Sequence, residues 1–143
     1  MFKANSMTQN LGFIIAPGAW MAFIFFLSTL EGPVSGRVLE SVSGTWTEGW
    51  LSYLAHALLY GILAILVQSA IWVWDPQRQP KWVFVAALFA AVYGITDEYH
   101  QSFVVGRSAS ASDVVVDSVA ALVAAALLWF WTTRFIRVAA SVT

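Results

Sequence analysis

Four long apolar segments constrain this chain more than any other feature of its sequence. About 20 consecutive apolar residues are enough to cross the hydrocarbon core of a bilayer as a helix. The segments of roughly that length are residues 11–30, 50–72, 82–103 and 114–131. Because lipid offers no hydrogen-bond partner to irregular backbone, each should be helical. The sequence therefore predicts an all-α, integral membrane four-helix bundle.

Composition supports a single membrane domain over residues 1–143 and excludes several functions. Of the 143 residues, 59% are hydrophobic and only 10% are charged, whereas soluble domains carry about 25% charged residues. The absence of cysteine excludes disulfides and thiolate metal ligands. The seven basic residues are too few and too scattered for a nucleic-acid-binding surface.

The positions of the basic residues predict the orientation of the bundle. Loops rich in Lys and Arg tend to remain in the cytoplasm. Five of the seven basic residues fall on one side, namely Lys3, Arg78, Lys81, Arg134 and Arg137. Both termini are therefore predicted to be cytoplasmic, and the connections 31–49 and 104–112 to face outward. The connection 31–49 fits either a short amphipathic helix on the outer leaflet or a flexible loop.

Ionisable residues concentrate near the predicted outer ends of three spans. Residues 94–117 hold four of the eight acidic residues and one of the two histidines. Ionisable side chains at membrane depth are costly, so they mark candidate functional sites. Helical spacing places them in three polar stripes: Asp97, His100 and Gln101 on the third span, Asp113 and Asp117 on the fourth, and His56 and Tyr60 on the second. We expect these stripes to converge in one outward-opening pocket formed by spans two, three and four.

Three uses of such a pocket remain open from the residues alone. Oxygen and imidazole donors suit a divalent ion, but no recognised metal-binding spacing is present, so no residue is assigned as a metal ligand. Arg107, with serines near a helix N-terminus, could instead recognise a phosphate or carboxylate head group. In the structural alternative, Arg107 pairs with Asp113 or Glu98, and His56 pairs with Asp97 or Asp117, so that the network only holds the helices together.

The polar residues resemble the VanZ-like family of small bacterial membrane proteins. The family pattern includes a His followed four residues later by Tyr, then Asp-Glu-x-x-Gln, a Gly-Arg turn and an Asp. The matching residues are His56, Tyr60, Asp97, Glu98, Gln101, Gly106, Arg107 and Asp113. The sequence departs from the pattern where Asp117 replaces the usual Asn, Leu51-Ser52 replaces a common Asp-Lys pair, and Ala120 and Ala124 replace glycines.

The resemblance implies a multi-pass protein of the bacterial cytoplasmic (inner) membrane that acts at the cell envelope. The family's namesake is linked to resistance to teicoplanin, a glycopeptide that acts on cell-wall precursors outside the membrane. We therefore expect this protein to bind or modify an envelope lipid or glycopeptide, with membrane lipids and a lipid-linked cell-wall precursor as candidate partners. A role in glycopeptide resistance would extend this hypothesis.

In this hypothesis each polar residue has a role. Glu98, Asp97 and His56 are the candidate acid/base groups, and Arg107 contacts an anion with Asp113 as its orienting partner. The other ligand-binding candidates are Gln101, Tyr60, Asp117 and His100. The alternative function is a non-enzymatic scaffold or accessory membrane subunit whose polar cluster is structural. The sequence assigns neither an enzymatic activity nor a cofactor.

Overall fold

The protein is a bundle of four long α-helices. The computed structural model describes the backbone of residues 4–30 and 48–141 and the side chains of residues 10–30 and 50–134. The helices are α1 (Ala4–Ser28), α2 (Glu48–Trp74), α3 (Lys81–Gln101) and α4 (Ala111–Ser141). The amphipathic helix considered for residues 31–49 falls almost entirely outside the described residues.

Each helix is long and apolar enough to cross a membrane. The segments that meet this condition are Asn10–Ser28, Trp50–Trp74, Lys81–Gln101 and Ala111–Arg134. Large apolar side chains cover the outside of the bundle, including Phe26, Leu88 and Leu127, each at least 60% exposed. Such a surface is stable against lipid tails rather than water. The prediction of an all-α, four-span membrane protein is therefore confirmed.

The observed helix ends differ from the limits of the apolar runs. Helix α3 ends at Gln101, two residues before the predicted limit, because the chain then enters a turn stabilised by backbone hydrogen bonds. Helix α4 begins at Ala111, three residues before its apolar run, which is the start that the capping-box pattern Ser110-Ala-Ser-Asp113 predicts. The hydroxyl of Ser110 accepts a hydrogen bond from the backbone N–H of Asp113 at 3.4 Å, as a capping serine does.

Small residues bring the central helices close together. Helices α2, α3 and α4 all pack against one another, whereas α1 packs mainly on α2 and touches α3 only slightly. A Cβ added at Gly61 of α2 would lie 3.4 Å from the Cβ of Ala124 on α4 and 3.8 Å from the carbonyl oxygen of Ala120. Small residues at membrane helix interfaces allow such close approach. The fully buried alanines of the core are Ala64, Ala86, Ala90, Ala121 and Ala125.

A tight turn between α2 and α3 closes one end of the bundle. The indole N–H of Trp129 on α4 donates to the carbonyl oxygen of Arg78 at 2.7 Å. The indole N–H of Trp82 donates to the carboxylate of Asp75. These two bonds attach the turn to α4 and α3 respectively. The polar residues of interest lie at the opposite end, where α1 and α3 end and α2 and α4 begin.

Candidate functional site

The centre of the polar cluster is the pair formed by His56 of α2 and Asp117 of α4. Nδ1 of His56 lies 3.1 Å from Oδ1 of Asp117. Both residues are buried, with 8% and 0% of their surfaces exposed. When Asp117 is ionised, its carboxylate can only accept a hydrogen bond, and the imidazole then donates through Nδ1–H. This bond fixes the ring and directs Nε2 toward Asp113, whose Oδ2 is 3.9 Å away.

Glu98 of α3 approaches the same imidazole from a third helix. Its Oε2 accepts a hydrogen bond of 2.7 Å from the backbone N–H of Ser110, which holds the carboxylate against the start of α4. Its Oε1 is buried and has no hydrogen-bond partner among the described residues. Ligand atoms of His56, Glu98 and Asp113 lie within 4.8 Å of one another. Among the described residues, this group is close enough for its members to be candidate metal ligands.

A second chain of hydrogen bonds runs from Asp97 to Arg107 through Gln101. The amide Nε2 of Gln101 donates to Oδ2 of Asp97 at 2.9 Å. Its Oε1 accepts from Nη2 and Nε of Arg107, at 2.7 and 3.2 Å. Gly106, with a φ of 77°, supplies the left-handed turn that returns Arg107 to the end of α3. The glutamine therefore couples the guanidinium to a buried carboxylate.

This arrangement differs from the pairing expected for Arg107. The sequence suggested that Arg107 would contact Asp113 or Glu98, but neither acid forms an ion pair with it in the described part of the chain. The physical reason is that Glu98 accepts the Ser110 N–H at the start of α4 and Asp113 faces His56 of α2, so neither carboxylate is directed toward Arg107. Of the two pairings suggested for His56, the structure contains the one with Asp117.

Tyr60 and Gly94 close the cluster on its inner side. The ring of Tyr60 is fully buried and stacks on His56 with a centroid distance of 6.2 Å and an interplanar angle of 10°. A Cβ added at Gly94 of α3 would lie 3.1 Å from Oδ2 of Asp117 and 3.4 Å from Cε1 of Tyr60. This role of Gly94 was not predicted from the sequence, although its position one turn before Asp97 was a visible signal.

His100 lies apart from the other predicted site residues. Its ring packs on Phe25 of α1 with a centroid distance of 4.5 Å. In a helix, a side chain three residues after Asp97 is rotated about 60° to one side of it, whereas Gln101 is rotated about 40° to the other. Asp97 and Gln101 therefore hydrogen-bond to each other, and His100 faces α1. No described contact joins His100 to His56, Asp113 or Asp117.

A cavity of about 220 Å³ opens beside the cluster. Its apolar wall includes Ile24 and Leu27 of α1 and Leu59 of α2. Its polar wall includes His56, Tyr60, Asp97, Gln101 and Arg107. A cavity with two such walls can hold a molecule that has both an apolar chain and a polar head.

The composition of the cavity corrects the expectation that spans two, three and four would form it. Helix α1, rather than α4, contributes side chains to the cavity wall. None of the acids Glu98, Asp113 and Asp117 lines the cavity. Helix α4 packs closely on α2, so Asp117 is buried in that interface with His56, and Asp113 is partly buried beside them. Helix α1 packs less extensively, which leaves a gap between it and the polar face of α3.

Comparison with known proteins agrees with the polar pattern and the helical architecture. The sequence model of the VanZ/LLP1 family matches residues 13–132, which covers most of the four helices. The chain belongs to the VanZ/LLP1 family. No curated protein and no solved structure gives a significant match. Membership of the VanZ/LLP1 family, together with four apolar helices, identifies a multi-pass membrane protein.

Proposed function

We propose that this VanZ/LLP1 protein binds an amphiphilic envelope ligand with an anionic head group, such as a lipid-linked cell-wall precursor. In this proposal it resides in the bacterial cytoplasmic membrane, and the cavity opens at the outer leaflet. The support for this orientation is the excess of basic residues at the opposite end, where the described part of the chain carries Arg78, Lys81 and Arg134.

The observation that carries the proposal is the division of the cavity into two walls. Ile24, Leu27 and Leu59 offer apolar contacts to an acyl or isoprenoid chain. Arg107 and Gln101 on the other side offer polar contacts to a head group. Ligand sites of this kind are mainly apolar, with a few placed polar groups that determine orientation.

Arg107 is the residue best suited to bind the anion. Its planar guanidinium can form paired hydrogen bonds with a phosphate or carboxylate. The bonds from Nε and Nη2 to Gln101 fix the plane of the group before a ligand arrives. Preorganisation of this kind reduces the entropy lost on binding.

Asp97 is the best candidate for a group that acts on a bound ligand. It is buried, it lines the cavity, and its Oδ1 has no hydrogen-bond partner among the described residues. An oxygen in this position can accept a hydrogen bond from a ligand hydroxyl or take its proton. If modification accompanies binding, Asp97 is therefore a better acid/base candidate than Glu98, which does not line the cavity.

The size of the cavity favours a lipid head group over an intact glycopeptide. A volume of about 220 Å³ is below the roughly 300–1,000 Å³ of sites for drug-sized ligands. In our proposal, an effect on teicoplanin susceptibility would arise through the precursor lipid on which the drug acts. Expression in a susceptible strain, followed by measurement of teicoplanin inhibition, tests this extension.

The direct test measures binding of a polyisoprenyl phosphate to purified protein by native mass spectrometry, with the uncharged polyisoprenol as comparator. We expect the phosphate to bind at least about tenfold more tightly, because a hydrogen bond to a charged group contributes about 1.5–3 kcal/mol. Arg107→Gln should remove this preference, and Leu59→Trp should weaken binding of both lipids. Arg134→Gln, at the opposite end, is the matched control and should bind like the wild type. Equal binding of the phosphate and the alcohol by folded wild-type protein would refute the proposal.

A second candidate function is a scaffold or accessory subunit. The observation that favours it is the network of buried polar bonds joining three helices, with His56–Asp117 between α2 and α4 and Glu98–Ser110 between α3 and the start of α4. In this case Arg107→Gln would lower the melting temperature and release a co-purifying membrane protein, without changing lipid selectivity.

A further inference from the structure

We propose that His56, Glu98 and Asp113 form a binding site for a divalent transition cation such as Zn²⁺ or Mn²⁺. The three residues come from α2, α3 and α4, and one ligand atom from each lies within 4.8 Å of the others. Atoms bound at about 2.0–2.2 Å from one metal ion are roughly 3–3.5 Å apart. A closure of at most about 1.3–1.8 Å, for the most widely separated pair, would therefore bring all three into coordination distance.

The imidazole of His56 is already oriented as a metal ligand. Histidines that bind metals usually donate their second ring N–H to a carboxylate, which fixes the tautomer and increases the basicity of the coordinating nitrogen. Asp117 supplies this carboxylate through the 3.1 Å contact with Nδ1. The remaining nitrogen, Nε2, faces Asp113 at 3.9 Å. This distance is too long for a hydrogen bond but is close to the separation of two ligands of one ion.

Glu98 provides independent evidence for a missing positive partner. Only 4% of the residue is exposed, yet Oε1 is buried without a hydrogen-bond partner among the described residues. Burying an ionised oxygen without compensation is costly, and such groups in proteins are generally paired or bound to a metal. The bond from the Ser110 N–H holds the other oxygen and so limits rotation of the carboxylate.

The charge of the cluster also favours a cation. Glu98, Asp113 and Asp117 surround one imidazole, while Arg107 donates to Gln101. Buried like charges repel strongly in a medium of low dielectric constant. A divalent ion between Glu98 and Asp113 would offset this repulsion and join three helices at one point.

The mixture of ligand atoms indicates the class of metal. Mg²⁺ and Ca²⁺ prefer sites made only of oxygen ligands, whereas imidazole is a common ligand of zinc and other transition metals. Three protein ligands also leave at least one coordination position for water or another small ligand. Of the three ligands only His56 also lines the cavity, so binding of the metal ion can be measured in the absence of lipid and does not depend on lipid binding.

The test measures Zn²⁺ bound to the purified, chelator-treated protein in detergent without added lipid. We expect one tightly bound Zn²⁺ per chain by elemental analysis and calorimetry. Asp113→Asn should weaken binding at least about tenfold. Asp117→Asn should weaken it by about 10–100-fold, as is typical when a carboxylate behind a histidine ligand is changed. Asp75→Asn is the matched acid-to-amide control at the other end of the bundle and should bind like the wild type.

A spectroscopic measurement distinguishes this site from nonspecific binding to acids. Mn²⁺ is bound in place of Zn²⁺, and coupling to the imidazole nitrogen is detected by pulsed electron paramagnetic resonance. The coupling should be present in the wild type and in Asp75→Asn and absent in His56→Gln. Asp113 is only partly buried, so Asp113→Asn should remain folded even if His56→Gln does not. Wild-type protein without stoichiometric Zn²⁺, or an Asp113→Asn variant with unchanged affinity, would overturn the proposal whatever the lipid experiments give.

Discussion

Gly94 of α3 lies directly against the carboxylate of Asp117 on α4, at a point where a Cβ would be only 3.1 Å from Oδ2. Asp117 cannot move easily to make room, because it is fully buried and its other oxygen is bonded to His56. The absence of a side chain at Gly94 thus allows α3 and α4 to enclose the His56–Asp117 pair. The polar cluster depends on this close contact as well as on its charged residues.

The first prediction is that Gly94→Ala destabilises the protein. Adding atoms to a closely packed interior typically costs about 1–3 kcal/mol, which should exceed the gain of up to about 1 kcal/mol in helix propensity. Thermal unfolding in detergent should therefore show a lower melting temperature. Gly18→Ala is the control, because a Cβ at Gly18 meets nothing within 4 Å. A Gly94→Ala melting temperature equal to that of Gly18→Ala would show that the contact is not tight.

The second prediction concerns Gln101, which connects Asp97 to Arg107. Gln101→Leu removes both amide contacts and leaves Asp97 buried without this donor. Leaving a buried polar group unsatisfied costs about 1–3 kcal/mol, so we expect a lower melting temperature and weaker binding of polyisoprenyl phosphate. Gln77→Leu, in the exposed turn between α2 and α3, should change stability by less than about 0.5 kcal/mol. Retention of the wild-type phosphate preference by Gln101→Leu would argue against orientation of Arg107 by this residue.

Much of the architecture was predictable because membrane insertion and helix packing require simple sequence patterns, such as long apolar runs. Four apolar runs predicted four helices, since lipid excludes irregular backbone. Small residues in the apolar runs are typical of close helix interfaces in membranes, and Gly61 is found opposite Ala124. Helical spacing left Asp97 and Asp117 as possible partners of His56, because burying ionisable groups together is less costly than exposing each to lipid, and the structure contains the pair with Asp117.

The details of the site were less predictable because they depend on packing between helices. Spacing alone placed His100 with Asp97 and Gln101, but the position of α1 decides that its ring contacts Phe25. Spacing also gave no reason to expect α1 in the cavity wall, since Ile24 and Leu27 look like ordinary lipid-facing residues in the sequence. The hydrogen bond from the Ser110 backbone to Glu98 is not encoded by any side-chain motif.

The third prediction separates the stability of the α2–α3 turn from the properties of the polar cluster. Trp129→Phe removes the 2.7 Å hydrogen bond from the indole to the carbonyl oxygen of Arg78. A hydrogen bond of this kind typically contributes about 0.5–1.5 kcal/mol, so the melting temperature should fall modestly while Zn²⁺ and lipid affinities remain unchanged. Trp74→Phe is the control, because Trp74 is 78% exposed. A loss of Zn²⁺ affinity in Trp129→Phe would show that the two ends of the bundle are coupled.

The fourth prediction tests the proposed orientation, on which outer-leaflet binding depends. The chain contains no cysteine, so a single introduced thiol can be labelled without background. Ser108 lies in the exposed connection between α3 and α4, and Gln77 lies in the exposed turn at the other end of the bundle. With the basic turn in the cytoplasm, a membrane-impermeant maleimide should label Ser108→Cys in intact spheroplasts and Gln77→Cys only after the membrane is disrupted. The reverse pattern would place the cavity and the proposed metal site on the cytoplasmic side, where an extracellular glycopeptide could not reach a ligand bound there.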